Sequence, residues 1–507
     1  MNLVAANTTL PLSRRFCFCF PLFLTALLPL AAWGQSSADT DKIITEALKP
    51  SALEQNLRVL TDEVGGRVPG TPAMQKAIVW AVDAFKNAGE ENVHVEPFTL
   101  PVSWTEGATK VGVVAPVDFK VRAVSIAWAP PLRGLVRARV VDVGDGSLAN
   151  FHNAKNIAGA IILVHSDVLK SWDDLFAEYL KAPSIIEAAV HGKAAAIAFI
   201  ATREHDILYR HINTLNGNLA PLPMVLLARE DGERIGRLIA VGQKVEVSLS
   251  IPNQVGGPVE SNNVIAEIRG SEKPDEFVVL GAHLDSWELG TGALDNGCNA
   301  ALVIDALRAI EASGLKPRRS IRFILFSGEE QGTLGSWAYV HDHRKELDNA
   351  VAAIVFDEGT GATTGFSLGG RNELLPAATE LVKPFQQWKA TGLTTDAFVG
   401  TDNFDFLLEG VPTFVANQKE ANYLENYHAT SDTYDKVDFV QLKKHVAIAA
   451  ALAFELADSP QRFGTRQNRK QIEQLLQETH LDEQLKIFDL WSGWLNSNRG
   501  RQAEGKQ

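Results

Sequence analysis

The sequence predicts an α/β protein with a mixed, mostly parallel sheet covered by helices on both faces, plus an inserted β/α unit. Two observations predict this class. Apolar runs at 277–282, 321–326 and 351–356 alternate with helical patterns such as 300–310, which is typical of strands buried on both faces. Residues 107–252 have a different sequence pattern, in which short runs of β-branched residues alternate with short helical patterns.

The N-terminus, residues 1–34, has the organisation of a signal peptide. Arg14 and Arg15 form a positive region, 16–30 is an apolar run short for a membrane span, and small residues at Ala32 and Gly34 suit a cleavage site. The alternative is an uncleaved anchor helix. The arginine pair does not decide between general and twin-arginine export.

Cleavage would remove two of the three cysteines and leave Cys298 alone, so the mature chain could form no internal disulfide. We therefore expect an exported protein, periplasmic or extracellular. No later stretch is apolar enough to span a bilayer. The chain has 48 Lys+Arg against 61 Asp+Glu, a net charge of −13, which disfavours nucleic-acid binding.

The predicted order of segments is a main domain interrupted by the insert. Helical patterns at 41–60 and 77–88 and an alternating strand at 93–100 belong to its first part. The amphipathic stretch 472–494 could dock on the body or on another subunit as a homodimer contact. The boundaries are signal peptide 1–34, main domain 35–106, insert 107–257, main domain 258–461, and C-terminal helical tail 462–507.

Three predicted strands end in acidic or imidazole side chains. His283 and Asp285 follow the first, Glu329 and Glu330 the second, and Asp357 the third. Sites in open α/β sheets form at the carboxyl ends of strands, and acids gathered there repel one another unless a cation is bound. Each acid alone could instead cap the next helix. The three ends together, with a histidine, favour a metal site.

The spacing around these strand ends adds to the case for a metal. The Asp285 carboxylate is placed to hydrogen bond His283, which would fix the tautomer of a metal-bound imidazole. Asp295 lies in a glycine-rich loop that can fold back towards His283. The adjacent Glu329 and Glu330 cannot point the same way, so one could bind metal while the other moves a proton.

Five motifs, in this order along the chain, resemble those of the co-catalytic zinc exopeptidase family, which includes bacterial leucyl aminopeptidases, glutamate carboxypeptidase and carboxypeptidase Q. Their sequences are most similar to the carboxypeptidase Q branch. They are His283-Leu284-Asp285-Ser286-Trp287, Gly292-Ala293-Leu294-Asp295, Glu329-Glu330-Gln331-Gly332, Asp357, and Tyr427-His428. The resemblance implies a three-layer α/β/α zinc-exopeptidase domain. Residues 158–166 resemble a strand of the protease-associated domain, which implies that the insert is a domain of this type. The alternative is that these residues form further strands of the main domain.

The resemblance also implies two Zn²⁺ and a role for each site residue. His283 and Asp357 would hold one zinc, Glu330 and His428 the other, and Asp295 would bridge them. Glu329 would be the catalytic acid and base, and Asp285 would orient His283. Substrate-binding candidates are Asp402, which could instead support the centre, and Tyr427, which could instead pack. Cys298 is predicted to be a packing residue, and His341 and His343 to be solvated.

The predicted function is a secreted zinc exopeptidase that hydrolyses dipeptides or short peptides as a carboxypeptidase Q-like metallodipeptidase. An aminopeptidase of the same family is the alternative. A glutaminyl-cyclase-like enzyme and a non-catalytic receptor-like module are disfavoured because relatives of those kinds lack metal ligands that this chain retains. The sequence does not determine which end of the substrate is bound, the side-chain preference or the oligomeric state.

Overall fold

The computed structural model describes residues 33–503, with side chains from residue 38. All but the last two residues of the predicted signal peptide lie outside this range. Within it, no helix combines the length and apolar character needed to cross a membrane.

The first part of the chain forms three helices and two strands. The predicted helix 41–60 is wrong as a single element, because the chain leaves helical geometry around Pro50, whose ring cannot continue a helix. Thr71 caps the third helix by accepting a hydrogen bond from the Met74 N–H. The elements are α1 (Trp33–Ala47), α2 (Leu53–Arg58) continued by a π-helical turn (Val59–Val64), α3 (Pro72–Asn87), β1 (Val93–Leu100) and β2 (Trp104–Thr105).

Residues 110–250 form a separate eight-stranded sheet with helices against it. Its strand order is β4-β3-β10-β6-β7-β8-β9-β5, and it has its own apolar cores. The protease-associated type of this unit stays a prediction. Its elements are β3 (Lys110–Ala115), β4 (Phe119–Val121), β5 (Ala123–Ser125), β6 (Val136–Asp142), α4 (Leu148–Asn153), β7 (Ile161–Val164), α5 (Trp172–His191), β8 (Ala196–Ile200), β9 (Met224–Leu227), α6 (Arg229–Ala240) and β10 (Glu246–Ser250).

The chain then returns to the main domain. Short 3₁₀ and π turns connect several of the elements that follow. These elements are β11 (Gln254–Val255), β12 (Val259–Ile268), β13 (Lys273–His283), α7 (Cys298–Ser313), β14 (Arg319–Phe326), α8 (Leu334–Asp342), β15 (Ala350–Val355), β16 (Thr363–Ser367), α9 (Leu375–Leu381), β17 (Gly392–Thr394), α10 (Asn403–Leu408), β18 (Thr413–Gln418), α11 (Tyr423–Asn426) and α12 (Phe439–Asp458).

The main sheet has the order β1-β12-β14-β13-β15-β18-β16-β17. Strands β14, β13, β15 and β18 run parallel to one another, while β12 pairs with β14 and β16 pairs with β18 in antiparallel fashion. Helices α1, α7 and α12 cover one face, and α8 and α10 cover the other. This mixed α/β architecture with helices on both faces confirms the predicted fold class.

The C-terminal tail forms three short helices that dock on the body of the same chain. Its apolar side chains pack with Phe404, Leu407 and Leu408 of α10, and Arg499 pairs with the buried Asp405 at 2.7 Å. The predicted amphipathic surface is therefore covered within the chain. The helices are α13 (Arg469–Glu478), α14 (Leu481–Ile487) and α15 (Trp491–Leu495).

Candidate metal centre and active site

The carboxyl ends of three adjacent parallel strands bring the predicted ligands together. His283 ends β13, Glu329 and Glu330 follow β14, and Asp357 follows β15. The strands are buried where they approach these residues and are fixed in register with one another, so the side chains after them share one edge of the sheet. His428 comes from the loop after α11.

Asp295 lies between the two histidines and directs one carboxylate oxygen to each. Asp295 Oδ1 is 3.2 Å from His283 Nε2, and Asp295 Oδ2 is 3.2 Å from His428 Nε2. On the outer sides, Asp357 Oδ1 is 3.4 Å from His283 Nε2, and Glu330 Oε2 is 2.9 Å from His428 Nε2. The arrangement is two histidine–carboxylate pairs joined by a shared carboxylate.

The donor atoms of this cluster fit cations. Asp295 Oδ2 and Glu330 Oε1 are buried and make no hydrogen bond within the described part of the chain. Although burial opposes a charge on the imidazole, Glu330 and Asp295 raise the pKa of His428 to about 9, and Asp357 and its neighbours raise that of His283 well above its usual value. Buried acids thus create a potential that attracts positive charge, and imidazole and carboxylate are the ligands that zinc takes in catalytic sites.

Glu329 and Glu330 have different surroundings, because adjacent side chains point in different directions. Both residues line the neighbouring cavity, but only Glu330 also contacts His428, with Glu330 Oε2 2.9 Å from His428 Nε2. Burial raises the pKa of Glu329 well above its usual value, and Asp357 and Glu330 add to the shift.

Asp285 reaches the site through different atoms from those predicted. The His283 Nδ1 atom is 3.0 Å from the Asp285 backbone carbonyl oxygen, whereas the nearest carboxylate oxygen is 3.6 Å away. The carboxylate instead accepts from the backbone N–H groups of Glu329 and Glu330, at 3.3 and 3.4 Å. Asp285 therefore links the end of β13 to that of β14.

The loop that carries Asp295 is held by a buried carboxylate that sequence reasoning missed. Asp432 accepts backbone hydrogen bonds from Ala293, Leu294 and Asp295 at 3.1, 2.7 and 3.1 Å. Burial raises the pKa of Asp432 to about 7. Its position four residues after His428 was the available signal.

A buried arginine, also missed, fixes the other side of the same loop. Arg67 is fully buried and donates to the carbonyls of Leu284, Thr291 and Gly292 at 2.7–3.0 Å. Gly292 has φ +60°, and a β-carbon there would lie 2.3 Å from the Ser286 side chain, so only glycine fits. Asp295 is thus positioned by a rigid loop.

The insert holds the second histidine. His428 Nδ1 is 3.0 Å from the Arg210 carbonyl oxygen, and the Arg210 N–H donates to the His428 carbonyl at 2.8 Å. The Arg210 side chain is fully buried and pairs with Glu106 and Glu288. Through Arg210, the insert sets the orientation and tautomer of a candidate ligand of the main domain.

A cavity of about 470 Å³ opens beside the cluster. The main domain, the insert and the tail all contribute to its wall. The side chains are largely aromatic or aliphatic with several carboxylates, and among them are Trp172, Asp173, Phe176, Tyr179, Glu329, Asp357, Glu358, Asp396, Phe398, Tyr423, Tyr427, His428, Phe488 and Leu490. Its size is that of a small-ligand site, about 300–1,000 Å³.

The two predicted substrate-binding residues differ in position. Tyr427 lines the cavity and stacks on His428, with ring centroids 3.7 Å apart. Asp402 is fully buried and is not among the cavity-lining residues, so its predicted role, contact with a substrate ammonium group or support of the centre, stays a prediction. Glu358, which the sequence did not single out, lines the cavity instead.

Cys298, His341 and His343, which the sequence analysis excluded as ligands, occupy different surroundings. Cys298 is buried in the core, where its thiol donates to the Leu294 carbonyl at 3.3 Å, as predicted for a packing residue. His341 is exposed, but His343 is paired with Glu96 at 2.9 Å and stacked on Tyr339. The prediction of a solvated His343 is therefore wrong.

The sequence is similar to that of known peptidases. Residues 263–453 match the family described as Peptidase family M28. Carboxypeptidase Q of Rattus norvegicus is 27% identical over 406 residues, which are 80% of this chain and 85% of that protein. Leucine aminopeptidase 2 of Trichophyton equinum is 28% identical over 298 residues, 57% of this chain and 54% of that protein.

The fold is similar to those of solved structures. A peptidase M28 precursor from Shewanella amazonensis is 25% identical, with a TM-score of 0.77, and the match covers 85% of this chain and 99% of that one. BSAP, a zinc aminopeptidase from Bacillus subtilis, is 19% identical, with a TM-score of 0.64 and coverage of 81% and 98%. The second likeness concerns the fold alone.

Proposed function

The chain is a metallo-exopeptidase with a peptidase family M28 domain, and from this premise we propose that it removes N-terminal residues from short peptides whose amino group is free. The sequence favoured a carboxypeptidase Q-like dipeptidase, with an aminopeptidase as the alternative. The charges of the cavity support recognition of the amino end.

The observation that carries this proposal is the absence of a cationic side chain from the cavity. Among the residues that the structure describes, no Lys or Arg lines it, whereas Asp173, Glu358 and Asp396 do, in addition to the acids of the metal cluster. A substrate carboxylate is bound by Arg or Lys in most protein sites, and an ammonium group is bound by carboxylates. The lining therefore suits a substrate that enters with its ammonium group towards the centre.

Glu358 is the best-placed acid for that ammonium group. It follows Asp357 in the chain, is 3% exposed, and lines the cavity. Its Oε1 accepts from Thr363 at 3.2 Å, while its Oε2 is buried without a hydrogen-bond partner in the described part of the chain. An ammonium hydrogen would satisfy this oxygen and would fix the substrate beside the metal ligands.

The cluster would hold two zinc ions, as its symmetry around Asp295 supports. His283 and Asp357 would bind one, Glu330 and His428 the other, and Asp295 both. Two bound zinc ions would supply Lewis-acid polarisation of the scissile carbonyl and a lowered pKa for the attacking water.

Glu329 is the acid–base residue of the proposal. Both glutamates line the cavity, and because Glu330 lies 2.9 Å from His428, Glu329 is the one that would be free to exchange a proton with the substrate. It would take a proton from the attacking water and return it to the leaving amine. Asp285 positions it by accepting the backbone N–H of Glu329 at 3.3 Å.

One dipeptide in three forms tests the proposal. Leucyl-alanine with free ends, N-acetylated and C-amidated is offered to the zinc-loaded enzyme, and kcat/KM is measured. We expect acetylation to reduce kcat/KM at least about 100-fold, because a site built for an ammonium group rejects an analogue that lacks it. Amidation should change it less than about threefold. Hydrolysis of the acetylated form as fast as the free form would refute the proposal.

A pair of variants tests the proposed ammonium site. Glu358→Gln should raise KM for the free dipeptide more than it lowers kcat, because burial raises the pKa of Glu358 to about 8 and the amide cannot take on the negative charge that a bound ammonium group would stabilise there. Glu425→Gln is the matched control, since Glu425 is exposed and does not line the cavity. An unchanged KM in Glu358→Gln would remove this residue from the proposal.

A dipeptidase that reads both ends is the second candidate, and the similarity to carboxypeptidase Q over 80% of the chain favours it. The C-amidated dipeptide separates the two, because a dipeptidase would lose activity on amidation as well.

Export through the predicted signal peptide is also part of the proposal. N-terminal sequencing of protein recovered outside the cytoplasm, beginning at or near residue 35, is the expected result.

A further inference from the structure

The C-terminal tail is part of the cavity wall. Helix α14 contacts α5 of the insert, while the other apolar side chains of the tail pack against α10 of the main domain. Phe488 and Leu490, which follow α14, line the cavity. The tail is therefore fixed on both sides of the opening and contributes two apolar side chains to it.

A second hollow of about 390 Å³ lies on the other side of this wall. It is bordered by α5, by the insert loop around 212–221 and by tail residues 487–489. Phe488 lines both hollows, and the insert contributes the other shared residues, Tyr179, Ile212 and Leu215. These four side chains are a partition between the substrate cavity and the second hollow.

The tail supplies one side of the partition through a single aromatic ring. Phe488 is partly buried and packs at the edge of the tail core, and the next residue, Asp489, has φ +58°. The Phe488 N–H donates to the Gln484 carbonyl at 2.9 Å, which ties its backbone to the end of α14. Tyr179 lines the same two hollows from α5, a 20-residue helix that contains Pro183 one turn after Tyr179. The ring is thus held by ordered elements on both sides.

We propose that Phe488 sets the length of peptide that the enzyme hydrolyses, by closing the cavity to residues that would otherwise extend into the second hollow. This inference rests on the proposed function. A clash with a rigid wall discriminates against longer substrates without strengthening the contacts to shorter ones. The substrate class is therefore di- and tripeptides with a free amino end.

The test compares kcat/KM for leucyl-alanine with that for the tetrapeptide that extends it by two alanines. In the wild-type enzyme we expect the dipeptide to be favoured at least about tenfold. In Phe488→Ala the ratio should fall towards one through a gain on the tetrapeptide. Phe488→Leu keeps an apolar contact with the tail core and should give an intermediate ratio. It provides the test if the alanine variant folds poorly.

Leu495→Ala is the matched control, because Leu495 belongs to the same tail, is 58% exposed and does not line either hollow. It should leave the ratio unchanged. A wild-type enzyme that cleaves both peptides equally, or a ratio that is the same in Phe488→Ala, Phe488→Leu and wild type, would overturn the inference and leave the proposed function intact. No hydrolysis of either peptide by the wild-type enzyme would overturn both.

Discussion

Replacing Asp432 with asparagine tests whether the loop around Asp295 is preorganised for metal. Its carboxylate accepts three backbone N–H groups, two on Oδ1 and one on Oδ2. In Asp432→Asn one oxygen becomes an NH₂ group, so at least one buried N–H faces a donor. Losing one hydrogen bond to a charged group costs about 1.5–3 kcal/mol. If the loop must be reordered for binding, the metal Kd should rise about 10- to 150-fold.

The assay is competition for zinc between the protein and a chromophoric chelator, with thermal unfolding measured on the same samples. Asp435→Asn is the control, since Asp435 is an exposed carboxylate three residues along the chain and contacts Thr433 and Lys436 only at the surface. We expect wild-type affinity in the control. Wild-type zinc affinity in a folded Asp432→Asn protein would refute the reasoning, because the loop would then be held without its carboxylate.

Three further predictions follow from other parts of the site and fold. Glu329→Gln should keep the zinc content of the wild type and reduce kcat at least about 100-fold, as measured by metal analysis and peptide hydrolysis; substantial residual turnover would contradict its role. Arg210→Ala removes the cationic partner of Glu106 and Glu288 and should cost about 3 kcal/mol in denaturant unfolding, with zinc affinity close to that of the wild type because the backbone groups that contact His428 are kept; an unchanged free energy of unfolding would contradict the role of this buried ion pair. Burial raises the pKa of Glu96, but hydrogen bonds from His343 and His94 outweigh it and hold that pKa near 2. Glu96→Gln should therefore cost about 1–2 kcal/mol at pH 6, and because the folded pKa is lowered, the difference should vanish as the pH falls from about 4.5 to 2; a difference that persists at pH 2 would contradict the assignment.

The fold of the main domain could be predicted because its central strands are mostly apolar. Runs such as 321–326 are buried on both faces, and the pattern itself requires helices above and below them. The break of the predicted helix 41–60 was the main error, although Pro50 was visible in the sequence. An amphipathic pattern can continue across a break when both helices present apolar side chains to the same core, as α1 and α2 do.

The sequence could indicate the candidate metal ligands because His283, Glu330 and Asp357 lie at or after strand ends, and because all five candidates occur in ordered motifs. The residues that hold them could not be predicted in the same way. Arg67, Asp432 and Arg210 act through backbone groups that lie far away in the chain, and no local spacing reveals such partners. The role of Asp402 was left open by the sequence for a related reason: its neighbour Thr401 lines the cavity and Asp402 does not, and no local pattern shows which of two adjacent loop residues will do so.

The site of this enzyme is completed by segments that contribute no metal ligand. The insert fixes His428 through Arg210 and supplies Tyr179 to the cavity, and the tail supplies Phe488. The parallel strands and the loops that follow them supply the candidate ligands, but the shape and charge of the space beside the centre depend on two peripheral elements. Because those elements are joined to the main domain by buried ion pairs and apolar packing, substrate selection can change through their side chains while the ligands stay fixed.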